Sequence, residues 1–134
     1  MIQPAARGNL LNFGHCFGHA VESTSSFVIP HGQAVVIGMM FANIVAKNRQ
    51  LMSSVLFEQL HQQVLKPTLT SFPSKHHLDI ATIFSAMKMD KKRTSEDLAL
   101  IMLVEGCNMV KIDDLAYEEV ATSNRELQQV LGLS

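Results

Sequence analysis

Asn12-Phe13-Gly14-His15-Cys16-Phe17-Gly18-His19-Ala20-Val21-Glu22, with His31-Gly32-Gln33-Ala34-Val35 beginning nine residues later, is the stretch that decides how this chain reads. From Leu10 to about Ser25 the apolar residues Leu11, Phe17 and Val21 are interleaved at helical spacing with Asn12, His15, His19 and Glu22. On a helix His15 and His19 share one face and Glu22 falls on the next turn, so two imidazoles and a carboxylate could converge on a divalent ion. Taken alone, the pair leaves two readings open: a metal or ligand site, or two ordinary polar histidines on a surface helix. His31, at the start of the next helix, adds to the first reading.

Gly14 and Gly18 flank the histidines. Each glycine weakens an isolated helix by about 1 kcal/mol relative to alanine, so their presence implies a close approach by another backbone or by a ligand.

Working outward, Ser23 to Ser26 and Val28-Ile29-Pro30 break the first helix, because hydroxyls compete for backbone bonds and the residue before proline avoids the helical region. His31-Gly32 opens a second helix running to about Arg49. Its interior, Ala34 to Ala46, is the longest apolar stretch, but Gly38 and Asn43 interrupt it and it falls short of the roughly 20 residues that cross a bilayer. It reads as a buried helix. A third helix, about Ser54 to Leu65, stops before Pro67, and Thr68 to His77 is a loop. A fourth runs from about Leu78 to Met89 and ends where Asp90-Lys91-Lys92-Arg93 turns polar. Leu98 to Val104 has strand length and, with Glu105-Gly106-Cys107-Asn108 and Met109 to Ile112, makes a small hairpin. Asp113 or Asp114 caps a last helix, and Ser123 with Glu126 resembles a second capping box. Residues 1–8 read as a loose leader. The expected fold is mainly α: a multi-helix, bundle-like single domain over residues 1–134 with a short two-stranded hairpin.

Composition narrows the function. A chain of 134 residues that is 47% hydrophobic can bury one real core. Its net charge of -1, with basic residues scattered apart from Lys91-Lys92-Arg93, offers no footprint for nucleic acid or an anionic membrane and favours a small polar ligand. Cys16 and Cys107, far apart and without CxxC spacing, suggest thiols in a reducing, cytoplasmic compartment rather than a disulfide framework. The eight methionines read as core filler, Cys107 as a small buried hydrophobe, and His61, His76 and His77 as plain surface residues.

Three blocks in order, Leu11 to Glu22, Pro30 to Met39 and Met89 to Lys92, closely resemble the C-terminal domain of 3-dehydroquinate synthase and related sugar-phosphate cyclases. The resemblance extends from roughly Asn9 to Leu131. It implies that His15 and His31 are zinc ligands, a different set from the one the helix face suggests. It implies that His19 faces the substrate and moves protons there, as the catalytic residue beside the metal. It further implies that Asn12, His19 and Lys91 bind a sugar-phosphate substrate, since an amide and an ammonium can hold a phosphate. The implied reaction oxidises a substrate alcohol with NAD, eliminates phosphate, reduces the ketone and closes a carbocycle, with zinc as Lewis acid.

The chain departs from that family pattern at three places. Cys16 replaces the usual threonine, Gln33 replaces the usual glutamate, and Gly8 stands where an arginine is expected, with Arg7 one residue out of register. The family's N-terminal half, which supplies the NAD site and a carboxylate to the zinc shell, is expected to be missing. Zinc would then bind weakly, NAD would enter only through a separate NAD-binding domain, and the isolated chain would be inactive. Two other readings stay open: a non-catalytic helical module that keeps the fold, or a cyclase for another sugar phosphate. An apolar face left by the absent domain would favour a homodimer.

Overall fold

α2 (His31–Asn48) is buried without a break from Met40 to Ala46, and the other elements pack around it. A helix apolar on all sides belongs in a core, as its composition predicts. The computed structural model describes residues 2–4, 13–94 and 99–133, the side chains of 2–4, 90–94 and 107 aside. Among the described residues no helix is long and apolar enough to cross a membrane.

α1 (His15–Thr24) runs antiparallel to α2, with Gly14 against Gly38, Gly18 against Ala34 and Glu22 against His31. The two helices touch backbone to backbone. A Cβ on Gly18 would lie 2.7 Å from the Ala34 carbonyl oxygen, and one on Gly38 would lie 2.4 Å from that of Gly14. Gly14 also adopts a left-handed conformation (φ 67°) that favours glycine. The glycines therefore answer to a neighbouring helix, which resolves the choice between a backbone and a ligand. Phe17 and Phe41 fill the seam with rings stacked at 3.9 Å between centroids.

α3 (Ser54–Leu60) starts on a Ser53 cap that accepts from the Leu56 N–H. It does not stop before Pro67. A π-helical turn (His61–Leu65) carries it into α4 (Lys66–Thr68), with the Lys66 N–H reaching back to the His61 carbonyl. A wide turn just upstream accommodates a proline, whose missing N–H and bulky ring disrupt ordinary α-helical bonding. His61, expected on the surface, is buried and stacked on Phe57, and burial lowers its pKa. Within the expected loop Lys75–Leu78 forms a 3-10 turn, capped by Ser74 and His77 reciprocally. His77 is thus a capping residue.

α5 (Ile80–Thr94) runs about a turn past Met89, so Lys91 lies on the helix and not beyond it. The hairpin forms as expected from β2 (Leu100–Val104) and β3 (Asn108–Ile112), with Gly106 left-handed between them. A third strand, β1 (Ile2–Pro4), pairs antiparallel with β3 to give the order β1-β3-β2. Part of the expected loose leader is therefore a strand. Three residues ending in proline carry no alternation, and only pairing makes them a strand; Pro4 is tolerated because β1 is at the edge.

α6 (Tyr117–Val130) packs on α2 and α5. Its N-cap is Ala116, not Asp113 or Asp114, and Ser123 and Glu126 lie inside it, Ser123 buried and Glu126 bound to Asn48. Asp114 instead pairs with Arg49 at 3.0 Å. Arg49 also holds Glu119 through two bonds of 2.6 Å, which keeps its guanidinium charged well beyond the usual range. This fork ties the end of α2 to the start of α6. Arg49→Ala is expected to lower stability by about 1–3 kcal/mol, since a half-buried Glu119 loses both donors. Urea unfolding at constant slope measures it, and an unchanged midpoint would show the pair to be ornamental.

Candidate functional site

The sheet sets where the first helix begins. Phe13 bridges Ile101 and the Gly14 N–H donates to the Ile101 carbonyl at 2.9 Å, so His15 starts α1 directly beside β2. From there His15, His19 and Glu22 run along one face, within about 60° of each other at 100° per residue. The His15 and His19 rings stack, nearly parallel, with centroids 5.5 Å apart. His15 is exposed and His19 half-buried.

At the other end of the row Glu22 is 8% exposed, and its Oε1 lies 3.0 Å from Nδ1 of His31. The His31 side chain is 67% exposed, so the pair combines a sunken carboxylate with a largely exposed imidazole. In metal sites a ligating histidine commonly gives its second ring nitrogen to a carboxylate, which sets tautomer and orientation. The helix face singled out Glu22, but its partnership with His31 was not legible from spacing.

The expected site is thus brought together only in part. His15 meets His19, and His31 meets Glu22. His15 begins the row, and His31 meets it at Glu22, about two turns further along α1. Among the described residues no group of three His, Cys, Asp or Glu side chains is placed to hold a metal. Cys16 is partly buried against the core. Asn12, Gly8 and Arg7 lie outside the described residues, as does the Lys91 side chain.

Gln33, one of the departures, has a defined job. Its Oε1 accepts from the N–H groups of Thr70 and Ser71 at 2.6 and 3.0 Å, and its Nε2 donates to the Thr68 carbonyl at 3.3 Å. The amide thereby clamps the segment after α4 to the first turn of α2, two residues from His31. A carboxylate could keep the two accepted bonds but not the donated one. Gln33→Glu is therefore expected to cost about 0.5–1.5 kcal/mol and to speed amide exchange at Thr70 and Ser71. Unchanged exchange there would show that the clamp does not hold the loop.

Fold and site together define a mostly helical domain that presents a row of histidines, backed by a buried carboxylate, along its first helix. The chain belongs to the 3-dehydroquinate synthase C-terminal family, which matches residues 5–93. It is 31% identical over 96% of its length to a 3-dehydroquinate synthase of Corynebacterium pseudotuberculosis, covering 35% of that protein. It is 35% identical over 91% of its length to that of Bacillus cytotoxicus, covering 33%, and 39% identical over 71% to that of Dehalococcoides mccartyi, covering 26%. The chain spans about a third of the length of the curated relatives it matches.

Proposed function

We propose that this chain is the metal- and substrate-binding part of a 3-dehydroquinate-synthase-type cyclase, acting on a sugar phosphate together with an NAD-binding domain. The observation that carries this reading is the Glu22–His31 pair, with the exposed imidazole oriented by a buried carboxylate on the same row as His15 and His19. The donor chemistry fits a divalent ion such as zinc, and in this reading the side chains of His15 and His31 reach toward each other along the row to hold it. A metal there would polarise a substrate hydroxyl or ketone. Glu22 holds the His31 ring by its Nδ1–H and so keeps Nε2 as a lone-pair donor. In this reading His19, stacked on His15, takes or gives a proton at a substrate hydroxyl. Asn12 and Lys91 hold the substrate phosphate in this reading. Two histidines bind zinc less tightly than the usual three protein ligands, so a further donor comes from outside the described residues.

Zinc titration calorimetry tests the assignment. His15→Ala and His31→Ala are each expected to lower affinity by about tenfold or more, and Glu22→Gln by about 10–100-fold. If neither histidine matters while circular dichroism shows the fold intact, the site is wrong. Cyclisation on mixing the chain with a separate NAD-binding domain tests the catalytic part.

The three departures from the family pattern, at Gly8, Cys16 and Gln33, favour a second reading. On that reading the chain keeps the fold and catalyses nothing. Zinc binding without cyclisation in the mixing assay would support it.

A further inference from the structure

The chain turns from α1 into α2 over Ser25 to Pro30, and it does so against the preference of its own backbone. Ser26 (φ 55°) and Phe27 (φ 63°) are both left-handed, a conformation that costs a bulky residue most. The Phe27 and Val28 side chains are 67% and 69% exposed, so their burial does not hold the turn in shape. Strained backbone persists only where its surroundings fix it, and such places gather at functional sites.

What fixes this turn is the hydroxyl of Ser25. The residue is only 5% exposed, and its Oγ donates to the Glu22 carbonyl at 3.0 Å while accepting from the Ile29 N–H at 3.3 Å. Backbone bonds close the turn around it: the Phe27 N–H donates to the Glu22 carbonyl at 3.0 Å and the Val28 N–H to the Ser25 carbonyl at 3.1 Å. One hydroxyl thus joins Glu22 to Ile29 across the turn. Ile29, 2% exposed, anchors the far side, and Pro30 and His31 follow it directly. The hydroxyls of Ser23 and Thr24 do not cross the turn; both donate to the Ala20 carbonyl within α1.

We propose that Ser25 is the positioning residue of the Glu22–His31 pair. Its two bonds set where the chain re-enters α2, and so whether Nδ1 of His31 comes within 3.0 Å of Glu22 Oε1. An ionised carboxylate only accepts, so the proton of the neutral ring sits on Nδ1 and Nε2 is left as a lone pair. With alanine in its place the Glu22 carbonyl and the Ile29 N–H lose their shared partner, and the left-handed residues are free to relax. The part this pair plays in holding a metal rests on the function proposed above; the positioning of the pair does not.

The test reads the His31 tautomer in the metal-free full chain from the NMR shifts of its ring nitrogens, in alkaline solution where the imidazole is neutral. The expected result is the Nδ1–H form in the unaltered chain, a shift in Ser25→Ala toward the Nε2–H form that an unpaired imidazole favours, and no change in Thr24→Ala. Zinc affinity should fall about tenfold in Ser25→Ala, as for other residues that orient a ligand. If Ser25→Ala fails to fold, Ser25→Cys, close in size but a far weaker donor, should show the same shift. An unchanged tautomer in the variant that folds, or an equal change in Thr24→Ala, would overturn the proposal even where zinc binding through His31 is upheld. A chain that binds no zinc yet loses the Nδ1–H form in Ser25→Ala would refute the metal site and leave Ser25 in its role.

Discussion

Gly38→Ala is expected to destabilise this chain by about 3 kcal/mol or more, at the upper end of what overpacking one methyl group costs. The added Cβ would lie 2.4 Å from the Gly14 carbonyl oxygen, 2.9 Å from the Gly18 nitrogen and 3.0 Å from the Gly18 Cα. All three are backbone atoms of α1 or of the residue that caps it, so no side chain can swing aside. Relief requires α1 to move off α2, which would separate Phe17 from Phe41 and lift Gly14 from its bond to Ile101. Because α1 carries His15, His19 and Glu22, any variant that still folds should also bind zinc more weakly if the proposed metal site is right. Gly32→Ala is the control, since nothing lies within 4 Å of a Cβ there. It is expected to be neutral, or stabilising by up to about 1 kcal/mol, through a less flexible unfolded chain. Thermal unfolding of both decides the matter, and equal midpoints would sink the backbone-contact account.

Phe41→Ala is expected to cost about 3–5 kcal/mol, the range for removing a buried aromatic ring from a packed core. Phe41 and Phe17 are both 0% exposed, and their rings lie nearly parallel at 3.9 Å between centroids. Aromatic pairs prefer offset or edge-on arrangements at about 4.5–7 Å. Burial between α1 and α2 therefore holds this pair, rather than ring electrostatics. Phe41→Leu should accordingly retain much of the stability, losing about 1.5 kcal/mol or less. A loss on Phe41→Leu as large as on Phe41→Ala would mean that the ring itself, and not filled volume, is what the seam needs.

The places where sequence reading and structure part have a common cause. Pattern finds elements that bury a face, and so α2, the β2–β3 hairpin and the main span of α5 stand where spacing puts them. It misreads residues whose role depends on a partner distant in the chain. Asp114 has the composition of a cap but is taken by Arg49, which leaves Ala116 to begin α6. Ser123 and Glu126 have capping-box spacing, yet the first is buried and Asn48 and Lys47 hold the second, so the helix runs through them. His61 shows no partner pattern because burial against Phe57 leaves none to show.

The histidine blocks by themselves determined the family and the face of α1 on which the polar groups stand, because a period of 3.6 residues places His15, His19 and Glu22 together whatever surrounds them. Tertiary structure alone decided what those groups meet. The glycines let α1 and α2 approach until backbone touches backbone, and that approach carries His31 onto Glu22 and leaves His15 with His19. Spacing along one helix is a local property, whereas the pairing of Glu22 with a histidine nine residues on depends on how the chain turns between two helices and how closely they pack.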